Sequence, residues 1–494
     1  MDTSEKITLR VSELIAKYST SSKSVHYLLC DQYPATKLAY KIINENMEEY
    51  ALSYGELKTQ SILLANGLKQ RGVKKGDRIA TLMGKSKEYI ITLLAIWRIG
   101  AVHVPLFTAF STPAITLRVN GSNSKIVFCD QNQQSKLKPS DDFAPNGKLE
   151  VITTASFDQT PNWASRWEDL LATDKPFKEE AGLDPDAPII HIFTSGTTGE
   201  PKGVSLPVKA LSCIEAYAEF AYDLRQTDVF WNAADPGWAY GLYCGILATL
   251  TTGTPAILFE GGFSAQATID IIEKQKITNF AAAPTVYRSL RADGIEISNR
   301  HKLRCLSSAG EPLTPEINEW AKSFFGLSVH DHYGQTETSM VINNHHHPEL
   351  KTELRDGSMG KVMPGWSATV LKNNEDIPEK PGVPGRVAFI IDKSPFSWFT
   401  GYVGNPKKSA EKFSKDHQYY LTGDTGSVDK DGYFYFSTRD DDIIIMAGYR
   451  IGPFEVESAL STHNAVAECA VIATPDKVRG EVIEAFVVLM AGTE

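Results

Sequence analysis

Residues 192–203 read IFTSGTTGEPKG: three glycines, four hydroxyl side chains and one lysine directly after an apolar run. Small hydroxyl residues and glycines leave backbone N–H groups unobstructed. Thr194, Ser195, Gly196, Thr197, Thr198 and Gly199 can therefore nest phosphate oxygens, with Lys202 adding the positive charge. The spacing is not that of the Walker A loop, G-x-x-x-x-G-K-[ST]: Glu200 and Pro201 separate the last glycine from Lys202, and Gly203 stands where a serine or threonine is required. By composition alone a solvent-exposed loop remains open as the alternative, and only chemistry elsewhere in the chain separates the two.

Three more stretches place polar groups beyond apolar runs: SSAGEPL at 307–313, DHYGQTET at 331–338, and YLTGD at 420–424 followed by DGYFYFSTRDDDIIIMAGYRIGPFEVE at 431–457. Together with FTSGTTGEPKG, and in this order, they resemble the adenylate-forming superfamily of acyl-CoA synthetases, luciferases and peptide-synthetase adenylation domains. DPGWAYG (235–241), GEPLTPE (310–316) and GYRIGPFEVESAL (448–460) look most like the acetyl and medium-chain acyl-CoA synthetases. The resemblance implies activation of a carboxylic acid by ATP to an acyl-adenylate, then transfer to coenzyme A, with Mg²⁺ as cofactor.

A carboxylate is a weak nucleophile that must approach a polyanion, so cations and positioned donors have to neutralise phosphate charge during an in-line attack. By resemblance, Lys202, Thr336, Glu337 and Arg450 carry the catalysis, with Thr336 on the α-phosphate and Glu337 as the magnesium ligand. The adenine is expected between the Gly310, Glu311 and Pro312 backbone and the Tyr333 ring, with Asp331 near its exocyclic amine. His332, Gly334 and Gln335 complete that nucleotide segment. Asp424 resembles the ribose ligand, since one carboxylate accepts from both sugar hydroxyls, and Arg439 a second ribose or phosphate contact. Acetate-activating relatives carry a tryptophan at the place of Gly334, so glycine is expected to open an acyl pocket and to favour a medium-chain or aromatic acid over acetate. A buried methylene contributes about 0.8 kcal/mol, which makes broad chain-length specificity the expectation. Trp238, Tyr240 and Tyr287 are candidate pocket walls, with ordinary core packing as the competing reading. Asp441 matches the hinge between two domain orientations, and Gly448, Tyr449 and Arg450 match positions beside the coenzyme A channel.

The elements that must position these groups are those of an α/β protein. RIATLM, then Ile90, Leu93, Leu94 and Trp97 at helical spacing, then GAVHVPL give a strand, helix, strand rhythm that predicts a parallel sheet. Residues 131–186 read as loops and short elements before a strand at 189–193. Beyond Pro381 the turn-rich, aromatic and β-branched texture predicts a β-structured lobe. We expect a large N-terminal domain, 1–440, of stacked α/β subdomains plus a distorted β-barrel lobe. A small α+β C-terminal domain, 441–494, follows, its helix opened by Pro453 and its last strand at an exposed edge. The net charge of −10 without a basic stripe argues against a nucleic-acid partner. Six scattered cysteines without a C-x-x-C pair read as reduced thiols. MDTSEKITLR lacks a signal-peptide core, and the apolar run YIITLLAIW is too short for a membrane span, so a cytoplasmic location is expected. Nothing in the sequence speaks to oligomeric state.

Superfamily members bridge carboxylate and α-phosphate with a lysine in a C-terminal loop, and this sequence ends at VVLMAGTE ahead of such a loop. On that ground the C-terminal domain is expected to be incomplete. Adenylation is expected to be slowed on the order of a hundredfold, about 3 kcal/mol, with ATP binding retained. Thr438 and Ser339 stand where relatives usually have glycine. Two alternatives follow: an adenylating ligase that loads a carrier protein, and a nucleotide- or acyl-binding protein with little turnover. His345, His346 and His347 invite a zinc reading, but adjacent side chains rarely converge on one ion.

Overall fold

The rhythm read from the sequence builds a parallel core. Arg78–Leu82 is a strand, Ser86 caps the helix Lys87–Ile99 by accepting from the Tyr89 N–H, and Gly100 in the left-handed region ends it. Val102–Pro105 then pairs parallel to the first strand. Ile90, Leu93, Leu94 and Trp97 are all buried in the largest apolar cluster. This is a computed structural model. It describes residues 2–490 except 20–22, 173–181, 183, 195–200, 299–300, 440–441, 443, 447–448, 464 and 477–479.

Among the described residues two large sheets carry the body of the chain. A seven-stranded sheet is parallel except at its end, where Pro188–Thr194 runs antiparallel to Lys202–Pro207. A thirteen-stranded sheet changes character along its width. Asn279–Ala282, Cys305–Ala309 and Val329–Gln335 are mutually parallel neighbours. Ser339–Asn343 returns antiparallel against Val329–Gln335, and from Ser358–Val362 onward the sheet is an antiparallel lobe that includes Gly385–Ile390, Tyr419–Val428 and Phe434–Arg439. Polar loops of such sheets collect where parallel strands end, and here that is also where the strand direction changes.

One expectation needs correcting. The antiparallel lobe begins before Pro381, because Ser358–Val362 and Ala368–Leu371 already belong to it. SMGKV and ATVL are too short to announce themselves. In a separate four-stranded sheet the last strand, Gly480–Leu489, pairs along its length with Val466–Asp476 and meets Met446 only at Gly480, so among the described residues the rest of its other side is open, with Phe486 and Val488 exposed. The helix Pro453–Ser461 does open with Pro453, whose missing N–H costs nothing in the first turn. Five of the six cysteines are buried and all six are unpaired. Among the described residues no helix is long and apolar enough to cross a membrane.

Candidate active site

Strand alternation divides the polar run His330 to Gln335 into two faces. His330 and His332 point into the core. The His332 imidazole accepts from the Tyr217 hydroxyl at 2.8 Å and lies 3.3 Å from the Asn344 carbonyl oxygen. The His330 ring stacks on His346 at 3.6 Å between centroids. Burial holds His330 down at about 4 and pushes His332 further below its ordinary value. His332 is therefore not positioned as a nucleotide contact, because the pleat turns it away from the face that Tyr333 occupies. His346 is spent on the Leu306 carbonyl and the Ser307 hydroxyl, at 3.0 and 3.1 Å.

The opposite face carries Asp331, Tyr333 and Gln335, which remain partly open. Parallel pairing runs through Ala309 opposite His332, so the next residues along the two chains, Gly310 and Tyr333, emerge side by side. Gly310 has φ +97°, and nothing lies within 4 Å of where a Cβ would stand, which leaves its backbone bare toward a flat ligand. Glu311 turns its carboxylate outward to Arg288 and Thr285, at 2.5 and 2.7 Å, while Pro312 is half-buried behind it. Burial pushes the Asp331 carboxyl well above the usual carboxylate range, with backbone donors at His332 and Leu313 opposing the shift.

Tyr333 and Gln335 both donate to Oδ2 of Asp424 on the strand Tyr419–Val428, Gln335 at 2.8 Å. The same amide nitrogen reaches the Thr422 carbonyl at 2.9 Å, and the Tyr420 hydroxyl donates to Gln335 Oε1 at 2.8 Å. Burial raises the Asp424 carboxyl, with Tyr333, Lys412, Arg439 and Gln335 opposing. Asp424 and Arg439 are register partners across two antiparallel strands. The sequence reading missed Lys412. Its ammonium donates to the Thr422 carbonyl at 2.7 Å and lies 5.5 Å from the Tyr420 ring centre. Its charge interacts with Glu337, Asp424, Lys202 and Arg439, and burial lowers its pKa. A lysine inside PKKSAEKF carries no motif, so no local signal could have found it.

Thr194 and Lys202 face each other at the mouth of the hairpin, as register partners. Residues 195–200, which hold the phosphate-nest candidates Ser195, Gly196, Thr197, Thr198 and Gly199, lie outside the described residues. The Lys202 ammonium sits 5.4 Å from the ring centre of Tyr402, whose hydroxyl donates to Glu337 Oε1 at 2.6 Å. Glu337 is buried and Thr336 half-open in the turn that leaves Val329–Gln335. The cation side and the purine side of the expected site thus lie within one run of residues, 333–337. Asp441 and Gly448 lie outside the described residues, and Tyr449 and Arg450 are seen only as backbone of the strand Tyr449–Ile451.

One acyl-pocket reading is overturned, that for Tyr287. A Cβ on Gly334 would stand 2.0 Å from the Ser339 carbonyl oxygen and 2.6 Å from the Met340 Cα, so returning backbone closes the side on which a side chain would project, while the glycine itself stays partly open. The glycine serves the irregular pairing at Tyr333 and Gly334. Tyr287 is fully buried in a separate apolar cluster with Trp231 and Phe280, its hydroxyl on the Ser307 carbonyl at 3.0 Å, and has no surface to offer a ligand. Trp238 is half-buried beside Phe107 and Phe110, at 5.2 and 5.7 Å between ring centres. Tyr240 is nearly buried and receives the Tyr222 hydroxyl at 3.4 Å.

Comparison with known proteins places the chain in a family. The sequence profile of the AMP-binding enzyme family matches residues 30–402, and that of the AMP-binding enzyme C-terminal domain matches 455–494. The chain belongs to the AMP-binding enzyme family. It is 35% identical to the mitochondrial acyl-coenzyme A synthetase ACSM3 of Mus musculus over 460 residues, covering 91% of this chain and 77% of that protein. It is 34% identical to the acetyl-coenzyme A synthetase of Bacillus subtilis, covering 90% and 76%. Among solved structures, an acyl-CoA synthetase of Brucella canis superposes with a TM-score of 0.83 at 38% identity, covering all of this chain and 90% of that one.

Two outcomes test these placements. Gly334→Ala drives a methyl group into backbone and is expected to lower stability by about 2 kcal/mol in urea unfolding. An unchanged midpoint, with activity lost only toward longer acids, would support the acyl-pocket reading. For Asp331 the folded-state pKa is raised, so the parent loses stability as pH climbs from the unfolded value of about 3.9 toward the folded one. Asp331→Asn has no such loss, and its melting temperature relative to the parent is expected to rise with pH above about 4. A difference that stays flat across that window refutes the assignment.

Proposed function

We propose that the chain is an ATP-dependent acyl-CoA synthetase. It activates a carboxylic acid as the acyl-adenylate, releases pyrophosphate, and passes the acyl group to the thiol of coenzyme A. The observation that carries this reading is the meeting, in a chain of this family, of Lys202 and Glu337 with the Tyr333–Asp424 pair along residues 333–337. Asp424 Oδ2 is occupied by protein donors, which leaves Oδ1 for the ribose hydroxyls. Gly310 and Tyr333 offer a bare backbone and a ring to the two faces of adenine, with Asp331 at its edge.

Glu337 fits a hard cation. Its Oε1 is engaged by Tyr402, and its second carboxylate oxygen has no partner among the described residues. Mg²⁺ bound there with phosphate oxygens would supply charge neutralisation at the triphosphate. The Lys202 ammonium and the Thr336 hydroxyl then meet phosphate oxygens while the substrate carboxylate attacks the α-phosphorus in line with departing pyrophosphate. Thioester formation breaks the acyl–phosphate bond and frees AMP. For that half-reaction the reading assigns Gly448, Tyr449 and Arg450 to coenzyme A, and Asp441, at the junction of domains 1–440 and 441–494, to the reorientation between steps. The preferred acid is medium-chain or aromatic, in keeping with the aromatic group of Trp238, Phe107 and Phe110 and with Tyr240. Unpaired thiols support a reducing, cytoplasmic setting.

Incubation with ATP, coenzyme A and acids from acetate to decanoate and benzoate is expected to yield AMP, pyrophosphate and thioester in equal amounts. kcat/KM should rise about tenfold for every second added methylene until the pocket is full. Formation of ADP and phosphate, or no pyrophosphate with any acid, contradicts the proposal.

A further inference from the structure

Tyr402 lies in FTGYVGN, a stretch that no motif singled out, yet it contacts both Lys202 and Glu337. Its backbone is fastened to the strand that begins at Lys202: Val403 N–H donates to the Gly203 carbonyl at 2.8 Å, and Tyr402 forms an isolated antiparallel bridge with Val204. Its own N–H is held by the Ser409 hydroxyl at 2.8 Å. The ring is 6% exposed, braced edge-on by Phe399 at 5.2 Å, and lies 5.4 Å from the Lys202 ammonium. From this fixed frame the hydroxyl donates to Glu337 Oε1 at 2.6 Å, across 65 residues of sequence.

We propose that Tyr402 is a positioning residue for Glu337: it ties down one carboxylate oxygen, aims the other at the divalent cation of the bound nucleotide, and registers both against Lys202. The inference rests on the adenylating function above. A free glutamate carboxylate must give up rotamer freedom to ligate a metal, and a donor that already holds one oxygen removes part of that cost. An ionised Glu337 carboxylate can only accept, so the Tyr402 hydroxyl is the donor in this bond. The ring beneath Lys202 adds a cation–π attraction that holds the ammonium over the same spot. Phosphate charge is thereby met from both sides by groups set before the nucleotide arrives.

The test uses the full chain and calorimetric titration of ATP at increasing Mg²⁺, a readout independent of turnover. Tyr402→Phe keeps the ring and the Lys202 platform and removes only the hydroxyl. It is expected to raise the Mg²⁺ concentration for half-maximal gain in ATP affinity about tenfold, in the range usual for lost outer-shell partners. ATP affinity without Mg²⁺ should stay at the parental value, and the melting temperature should fall only by the small amount one lost hydrogen bond accounts for. Glu337→Gln should abolish most of the Mg²⁺ dependence, and adding Tyr402→Phe to it should change nothing more. A Tyr402→Phe titration that superimposes on the parent, or an equal effect of Tyr402→Phe in the Glu337→Gln background, overturns the proposal while leaving the function intact. A parent chain whose ATP binding ignores Mg²⁺ overturns both.

Discussion

The Asp424 carboxylate lies on Tyr419–Val428 within the antiparallel lobe, and one of its oxygens accepts from both Tyr333 and Gln335 at the end of the last parallel strand. Taking a charge out of water costs several kcal/mol unless donors replace the lost hydration, and these two supply that replacement from a strand that is not its neighbour in the sheet. The bonds therefore do two things at once. They clamp Val329–Gln335 against Tyr419–Val428, and they leave the second carboxylate oxygen out of the clamp. Gln335 extends the clamp to the Thr422 carbonyl and the Tyr420 hydroxyl, and Lys412 holds the same carbonyl from the other direction.

Around that clamp the pleat sorts neighbouring polar residues into different jobs. Asp331, Tyr333 and Gln335 face the site, while His330 and His332 are neutral core residues stacked and bonded behind it. A buried imidazole persists because its pKa falls and a carbonyl or hydroxyl meets its nitrogen, so it needs no ligand to justify it. The same geometry keeps Gly334 small: a strand that turns back at Thr336 and Glu337 brings its returning partner too close for any side chain.

On the cation side, rigidity comes from backbone rather than from charge pairing. The hairpin of Pro188–Thr194 and Lys202–Pro207 is extended by Tyr402 and Val403, so Lys202 and the Tyr402 ring move as one body. Glu337 reaches this body from the other sheet through one short hydrogen bond. Charged groups so placed need little rearrangement when a polyanion enters, which is the economical way to stabilise charge developing in a reaction.

Much of this was legible in the chain. Helical spacing at Ile90, Leu93, Leu94 and Trp97 foretold the parallel core, and the displaced glycine before Lys202 excluded a Walker loop. The ordered motifs pointed to Tyr333, Glu337 and Asp424. These are local signals, carried by residues a few positions apart, and local sterics and periodicity act at that range. What tertiary structure decided is everything that depends on which strands became neighbours. It turned His332 inward, spent Tyr287 in a separate core, filled the space beside Gly334 with backbone, and brought Tyr402 and Lys412 to a site that their own sequence surroundings do not mention. Contacts between residues 65 or more apart are set by sheet order and register, and no short stretch of sequence encodes either.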